Sequence, residues 1–306
     1  MAEPTGDESV VGGPPPVGHI VDAPLASPAA TQGLLEVFRH RYLLRLLVKR
    51  EINARYSGSF LGVIWSYINP LSQFLIYVFV FTLLLDRNRT ENFAIHIFTG
   101  LVVVHFFTET FNAGTRSIVR NKALIRKMSL PKEMFPVASM LVSLYHVAPQ
   151  MVIMVAVCVP LGWAPDPMGM LALLLALGII MLLGTALALM FSVANVFFRD
   201  FASAVSILTN LVRFGVPMIY PYTVVEERFG SFAQYYLYNP LAEAVLLMQR
   251  AFWIGTTDDP AATAATDLPD HLFTRGLVMV AVSGVILVIA QIIFRALEDK
   301  IPERLN

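Results

Sequence analysis

The stretch Gly169–Val196 reads GMLALLLALGIIMLLGTALALMFSVANV and contains no charged residue. A helix needs roughly 20 apolar residues to cross a hydrocarbon core about 30 Å thick, and this stretch is longer than that. Backbone groups cannot hydrogen-bond to lipid, so an apolar run without alternation favours a membrane-spanning helix over a strand. The stretch therefore predicts an integral membrane protein.

Five further apolar stretches share this character. Hydrophobic residues make up 56% of the 306-residue chain and charged residues only 14%, well below the roughly 25% charged residues of soluble domains. We predict an all-α polytopic membrane protein with six transmembrane helices. The predicted spans are Leu61–Leu85, Phe93–Thr115, Phe135–Leu161, Gly169–Val196, Phe201–Tyr220 and Gly276–Ala296.

Basic residues are sorted to one side of these spans. Lys and Arg are frequent before the first span, between the second and third, and after the fourth and sixth, and they are sparse in the other loops. The positive-inside rule then places both termini in the cytoplasm of a cell-membrane protein. A net charge of zero implies no bulk affinity for nucleic acid. The single cysteine, Cys158, excludes an intramolecular disulfide.

Two segments precede the first span. Residues 1–33 are rich in proline and lack apolar periodicity, which predicts a disordered cytoplasmic tail. Residues 34–56 predict an amphipathic helix lying in the membrane surface; a cytosolic helix packed on a partner is the alternative. Residues 57–306 form the predicted transmembrane domain. The apolar face of the amphipathic helix holds Leu35, Phe38, Tyr42 and Leu46, beside a basic row of Arg41, Arg45 and Lys49.

The connection between the fifth and sixth spans, residues 221–274, is too long for a simple turn. It contains the apolar stretch Ala242–Ile254, which is too short to span. We predict a pair of re-entrant helices over residues 229–254 that dip into the outer leaflet. An aromatic belt at the outer interface is the alternative interpretation.

Polar residues recur on one face of three predicted spans. Such residues are costly in lipid, so the pattern favours a polar path or a subunit interface. Interhelical hydrogen bonds that only hold the bundle together are the alternative. We expect Glu109 and Arg213 to find ionic partners. The three rows are Ser66, Asn69, Gln73 and Tyr77; His105, Glu109, Asn112 and Arg116; and Ser203, Ser206, Asn210 and Arg213.

A fourth row consists of small residues. Gly184, Ala188 and Ser192 recur at steps of four within the fourth predicted span. Small residues let two helix backbones approach closely in a membrane. The row therefore predicts a tight helix–helix contact.

Catalytic and metal-binding signatures are missing from the sequence. His105 and Glu109 are four residues apart, but two ligands do not make a metal site. The chain has no HExxH motif and no pair of cysteines. It also has no Gly-Lys dipeptide, so it lacks the phosphate loop that binds ATP. The sequence predicts a protein that is not an enzyme, with no cofactor of its own.

Four short motifs connect the chain to a family. They are Lys49–Tyr56 (KREINARY) followed by Leu61–Trp65 (LGVIW) and Asn69–Leu71 (NPL); Asn195–Asp200 (NVFFRD); Pro217–Tyr220 (PMIY); and Tyr238–Leu241 (YNPL). In this order and spacing the chain resembles the permeases of type-2 ABC (ABC-2) exporters, in particular the Wzm/TagG group that exports polysaccharides and teichoic acids. The resemblance extends from about Leu34 to the C-terminus.

The resemblance implies partners and a substrate. Family members work as homodimers with two nucleotide-binding subunits, which hold ATP and Mg, and move a glycan carried on a polyprenyl pyrophosphate lipid. The helix 34–56 and the loop 116–132 would contact the ATPase, and the helices at 229–254 would close the outer mouth. The docking candidates in the basic loop are Arg120, Lys122, Arg126 and Lys127.

Further site residues follow from combining the family role with residue chemistry. Aromatic side chains suit sugar faces, and guanidinium groups suit pyrophosphate. The candidates for the translocation path are Trp65, Tyr67, Asn69, Gln73, Phe74, Tyr77, Glu109 and Arg213. The pyrophosphate candidates are Arg50 and Arg55, and the outer-gate candidates are Tyr235, Tyr236, Tyr238, Asn239 and Pro240.

The identity of the substrate stays open at this stage. The Ala- and Pro-rich tail and the spans rich in Val, Leu and Ala indicate a high-GC actinobacterium, for which the resemblance points to a cell-wall galactan. An O-antigen-like glycan or teichoic acid is the alternative within the group. Two other functions compete: export of small hydrophobic compounds by the same fold, and an intramembrane polyprenyl-dependent glycosyltransferase. The glycosyltransferase would have only His105 and Glu109 as candidate catalytic groups.

Overall fold

The computed structural model describes residues 33–80, 90–127 and 130–304. The predicted tail, apart from Gly33, and the end of the first predicted span at 81–85 lie outside these ranges. Within them every regular element is a helix, which confirms the all-α prediction. The helices are α1 (Leu34–Arg39), α2 (Arg41–Tyr56), α3 (Trp65–Tyr77), α4 (Phe93–Arg120), α5 (Lys122–Lys127), α6 (Met134–Cys158), α7 (Pro167–Phe197), α8 (Phe201–Val212), α9 (Tyr222–Phe229), α10 (Ala233–Tyr236), α11 (Pro240–Ala251), α12 (Pro260–Asp267), α13 (Leu272–Glu298) and α14 (Ile301–Arg304).

Four of these helices are long and apolar enough to cross a membrane. They are α4, α6 with the 3₁₀ turn Val159–Leu161, α7 and α13. They coincide with the second, third, fourth and sixth predicted spans and extend each by a few residues. The described part of the first predicted span is also helical, as α3.

The fifth predicted span, Phe201–Tyr220, is wrong as a continuous helix, because α8 ends at Val212. Gly215 and Pro217 follow, and proline lacks the N–H that would continue a helix. Side chains donate hydrogen bonds to the backbone carbonyls that the helix no longer pairs. Tyr220 Oη donates to Phe214 O (2.9 Å), Asn239 Nδ2 to Gly215 O (3.1 Å) and Gln249 Nε2 to Pro217 O (2.8 Å). We call residues 213–220 the broken segment.

The segment predicted as one amphipathic helix over 34–56 is two helices, because the chain turns at His40 between α1 and α2. Leu44 and Leu47 are buried in a cluster with Phe135 at the start of α6. The predicted apolar row is exposed on the other side. Thus α2 has two apolar faces, one against the bundle and one on the surface. The exposed row consists of Leu35, Phe38, Tyr42 and Leu46.

The contact between α4 and α7 forms the centre of the bundle. A Cβ added to Gly114 would overlap the Cβ of Ala188, and one added to Gly184 would lie 3.1 Å from Thr110 Cγ2. This confirms the close packing predicted from the row of small residues. α6 packs against α4, and α13 packs against α7.

The connection between the broken segment and α13 is built from the short helices α9 to α12. The apolar stretch predicted there corresponds to α11, a 12-residue helix. Its residues 241–249 are all buried, between α4, α7 and α13. Asn239 caps α11 by accepting from Leu241 N (3.0 Å), and Pro240 occupies the first helical position, where a missing N–H costs nothing.

Candidate functional site

An ionic cluster lies near the middle of α4. Glu109 Oε1 accepts hydrogen bonds from Arg55 Nη1 on α2 and from His146 Nδ1 on α6 (2.7 Å). The other oxygen of Glu109 lies 3.7 Å from His105 Nε2, and Gln150 Nε2 bonds to His105 Nδ1. The cluster therefore joins three helices around one carboxylate. This is the ionic partner expected for Glu109.

Local helix geometry explains the arrangement. His105 and Glu109 are four residues apart on α4, and His146 and Gln150 are four residues apart on α6. Residues at this spacing share one helix face, so two facing polar pairs meet where α4 and α6 pack. The sequence analysis missed His146 and Gln150. Their i, i+4 spacing inside an otherwise apolar span was the signal that could have revealed them.

A cavity of about 250 Å³ opens beside this cluster. The first turns of α3 form one wall, and the C-terminal end of α2 with the middle of α4 and α6 forms the other. Tyr56 and Ser66 are hydrogen-bonded across the mouth, which ties α2 to α3. The cavity is lined mainly by polar side chains, together with the indole of Trp65. The lining residues are Arg55, Tyr56, Trp65, Ser66, Asn69, Pro70, Ser72, Gln73, His105, His146 and Gln150.

A second cavity of about 270 Å³ continues from the first. Gln73 and His105 line both. The second cavity extends along α4 to Arg213 and Met218 in the broken segment. We call the two cavities together the polar groove. Its remaining lining residues are Ile76, Tyr77, Leu101, Val104 and Thr108.

The polar groove gathers most of the predicted path residues. Trp65, Asn69, Gln73, Tyr77 and Arg213 line it, and Glu109 holds its arginine in place. Two predicted path residues lie elsewhere. Phe74 is buried with its ring 5.0 Å from that of Phe98, and Tyr67 is partly exposed outside the two cavities.

The polar row of α4 makes two kinds of contact. His105 lines the groove and Glu109 binds Arg55 and His146 beside it, whereas Asn112 and Arg116 bond to α8. Asn112 Nδ2 donates to Thr209 Oγ1 (2.9 Å), and Arg116 Nη2 lies 3.5 Å from Ala202 O. For these two residues the alternative of interhelical bonding is the one that the structure shows.

The predicted docking loop is helical on both sides of Asn121. α4 continues to Arg120 and α5 covers Lys122–Lys127. Arg120 Nη2 donates to Glu51 Oε2 on α2 (2.5 Å). The side chains of Lys122, Arg126 and Lys127 are exposed.

The predicted outer-gate residues have distinct positions. Tyr236 Oη lies 3.2 Å from Tyr220 Oη, so α10 is joined to the broken segment. Asn239 joins α11 to the same segment through Gly215. Tyr235 and Tyr238 are exposed, with ring centroids 6.0 Å apart.

The described residues contain no group of three or more His, Cys, Asp and Glu side chains arranged to hold a metal ion. His105, Glu109 and His146 come closest, but Arg55 donates directly to the shared carboxylate. The cluster is therefore organised by a guanidinium–carboxylate pair, whose charge-assisted bonds are among the stronger polar contacts in proteins.

Four helices long and apolar enough to cross a membrane, packed beside a polar groove, define a polytopic α-helical membrane protein. The family model of the ABC-2 type transporters matches residues 42–253, and the chain belongs to that family. It is 30% identical to the O-antigen export system permease protein RfbA of Myxococcus xanthus over 220 residues, which cover 71% of this chain and 83% of that protein.

Two further relatives carry similar names. An O-antigen export system permease protein RfbA of Klebsiella pneumoniae is 28% identical over 216 residues, covering 70% of this chain and 81% of that protein. The capsule polysaccharide export inner-membrane protein CtrC of Neisseria meningitidis serogroup B is 24% identical over 137 residues, covering 44% and 52%.

Proposed function

We propose that the chain is the permease subunit of an ATP-driven exporter that moves a polyprenyl-pyrophosphate-linked polysaccharide out of the cytoplasm. The polar groove is the observation that carries this proposal. It joins a cationic end at Arg55 to a second cation at Arg213 through amide, hydroxyl and aromatic side chains. The names of the relatives, which denote polysaccharide export, support the same substrate class.

Arg55 is the stronger of the two pyrophosphate candidates. Its side chain is about half exposed and lines the groove. Arg50 instead donates to Glu51 Oε1 (2.9 Å) and to Asn121, and it is not among the residues that line the groove. A diphosphate would meet Arg55 already oriented by Glu109, with Trp65 beside it for the first sugar. A fixed guanidinium loses less freedom when it binds an anion than a mobile one does.

The remaining assignments complete the assembly. Two copies of the chain pair in the cell membrane with both termini cytoplasmic, and each copy docks a separate ATP- and Mg-binding subunit. The docking surface is the turn around α5, with Arg120, Lys122, Arg126 and Lys127. The six-span count, which includes α3 and α8, belongs to this proposal.

We assign α10 and α11 as the re-entrant pair that closes the outer mouth, with Tyr235, Tyr236, Tyr238, Asn239 and Pro240 at the gate. The burial of α11 among α4, α7 and α13 supports this assignment. The hydrogen bonds from Asn239 and Gln249 to the broken segment support it further. Among the possible glycans we propose galactan, on the compositional argument alone.

The test is export by the permease assembled with its ATPase, using Arg55→Gln. Loss of a charge-assisted contact costs about 1.5–3 kcal/mol, so export is expected to fall roughly ten- to hundredfold while the ATPase still co-purifies. Arg45→Gln, an exposed arginine on the same helix, is the matched control and should export normally. Wild-type export by Arg55→Gln would contradict the proposal.

The substrate is tested by supplying lipid-linked galactan, lipid-linked O-antigen-type glycan and a teichoic acid precursor to proteoliposomes that contain the permease and its ATPase. Stimulation of ATP hydrolysis by galactan above the other two supports the galactan assignment. Stimulation by a small hydrophobic compound and by none of the glycans would replace the proposal with drug export.

A further inference from the structure

Two polar ties connect α2 to α4, and they lie one helical turn apart on α2. Glu51 bonds to the end of α4, and Arg55 bonds to Glu109 near its middle. Because residues four apart share a helix face, the same side of α2 carries both ties. The Glu51 tie lies at the proposed docking turn, residues 120–127, and the Arg55 tie lies at the polar groove.

The tie at Glu51 is a small closed network. Its carboxylate receives Arg120 Nη2 at 2.5 Å, Arg50 Nη2 at 2.9 Å and Asn121 Nδ2 at 3.5 Å. Arg50 also donates to Asn121 Oδ1. The Glu51 side chain is only 14% exposed, whereas those of Arg50 and Arg120 are about half exposed, so one shielded carboxylate holds two guanidinium groups at the surface.

Asn121 makes this network part of the docking turn. It ends α4, with its backbone N–H bonded to Ser117 O and Ile118 O, and its own carbonyl accepts from the backbone N–H groups of Leu124 and Ile125 in α5. A displacement of α5 therefore moves Asn121, and Asn121 is bonded to α2 through Arg50 and Glu51.

The other half of α2 is held differently. Leu44 and Leu47 pack in the apolar cluster at the start of α6. Apolar packing is non-directional, whereas the Glu51 network has a fixed geometry. α2 is one continuous helix from Arg41 to Tyr56, so a displacement imposed at Glu51 also displaces Arg55, one turn further along.

We infer that Glu51 is the positioning residue that transmits movement of the ATPase-docking turn to Arg55 in the polar groove. This inference rests on the proposed function and adds to it a route of coupling. The route runs along α2, from Glu51 to Arg55 within one turn, and does not require α4 to bend between Arg120 and Glu109.

The first experiment measures the tie in the permease alone. Hydrogen exchange is followed in residues 48–56 and 117–127 for wild type and Glu51→Gln. Glu36→Gln is the matched control, because the ion pairs of Glu36 within the described residues are local, with Arg39 and His40. Glu51→Gln should raise exchange in both windows, and Glu36→Gln should raise it in neither. Unchanged exchange in Glu51→Gln overturns the inference.

The second experiment measures coupling in the full complex. Glu51→Gln should co-purify with the ATPase and hydrolyse ATP, but stimulation by lipid-linked glycan should fall at least about fivefold, the lower range of allosteric coupling. The charge exchange Glu51→Arg with Arg120→Glu should recover stimulation in part. Full stimulation in Glu51→Gln, or loss of ATPase co-purification, would overturn the transmitting role.

The two experiments separate the inference from the proposed function. If the wild-type chain binds no ATPase, the proposed function and the transmitting role both fall, and the exchange data still decide whether the tie exists. If the wild type exports glycan normally and Glu51→Gln does so equally well, only the inference falls.

Discussion

Arg250 on α11 forms a two-pronged salt bridge with Asp166 at the start of α7, with Nη2 3.0 Å from Oδ2 and Nη1 3.5 Å from Oδ1. Asp166 also caps α7 by accepting from Gly169 N (3.0 Å). Close by, Trp163 Nε1 donates to Ala251 O (2.9 Å). These contacts join the segment 163–166, which precedes α7, to the C-terminal end of α11 at Arg250 and Ala251.

The Asp166 salt bridge predicts a pH dependence of stability. Partial burial raises the pKa of Asp166, but hydrogen bonds from Arg250 and Gly169 N–H outweigh it and hold that pKa below its usual value. A carboxyl with a depressed folded-state pKa stabilises the protein above its unfolded-state pKa, near 3.9, and loses that contribution as the pH falls through the folded-state pKa.

The measurement is the thermal unfolding midpoint of the protein in detergent as the pH is lowered from 7 to 3. Asp166→Asn should lower the midpoint at pH 7, because it removes an exposed ion pair that contributes about 0.2–1 kcal/mol to the free energy of unfolding. The difference from wild type should shrink toward pH 3. A difference that grows on acidification would contradict the assigned direction.

The contact of Gly114 with Ala188 predicts a steric effect. Gly114→Ala places a Cβ where Ala188 already lies, and overpacking of this kind costs about 1–3 kcal/mol. Gly284→Ala on α13 is the control, since a Cβ there meets no atom of the described residues within 4 Å. The thermal unfolding midpoint should fall in Gly114→Ala and stay unchanged in Gly284→Ala. Equal midpoints would refute the close packing of α4 on α7.

The broken segment predicts a dependence on Gln249. Gln249 is buried and supplies the hydrogen bond to Pro217 O. Gln249→Leu leaves that carbonyl unpaired, which costs about 1–3 kcal/mol. Gln234→Leu, at an exposed glutamine on α10, should leave the unfolding midpoint nearly unchanged. If both variants unfold alike, the side-chain bond does not hold the segment.

The docking turn predicts a charge dependence of ATPase binding. Arg126→Glu combined with Lys127→Glu reverses two exposed charges on α5 and should abolish co-purification of the ATPase and export. Arg228→Glu, an exposed arginine on α9, is the control and should retain both. Intact co-purification and export in the double variant would exclude this surface as the docking site.

Hydropathy predicted the long helices well because length and composition alone decide which segments can cross a membrane. α4, α6, α7 and α13 each lie within a few residues of the predicted bounds. The same reasoning failed at Phe201–Tyr220, where the average apolarity concealed Gly215 and Pro217. Turn chemistry is local and should have been weighed against the average.

The candidate site was only partly predictable. The rows on α3 and α4 predicted a shared polar surface, and Asn69, Gln73 and His105 do line one cavity; its role as a translocation path stays a prediction. The pairing of Glu109 with Arg55 and His146 depends on how α2 and α6 pack on α4. That packing joins residues 54 and 37 positions apart, a separation at which one sequence carries no direct signal.

The end of α8 at Val212 has a consequence for how the proposed outer mouth would open. Twelve helical residues extend about 18 Å, less than the roughly 30 Å of a hydrocarbon core, so in the proposed six-span arrangement the broken segment would complete this crossing. Movement of α11 away from the broken segment would remove the hydrogen-bond donors of the Gly215 and Pro217 carbonyls. An unpaired carbonyl costs several kcal/mol in lipid, whereas in water it accepts hydrogen bonds from the solvent. On the proposed assignment of α11 to the outer gate, the exit would therefore open as a hydrated passage, with water replacing Asn239 and Gln249 as hydrogen-bond donors.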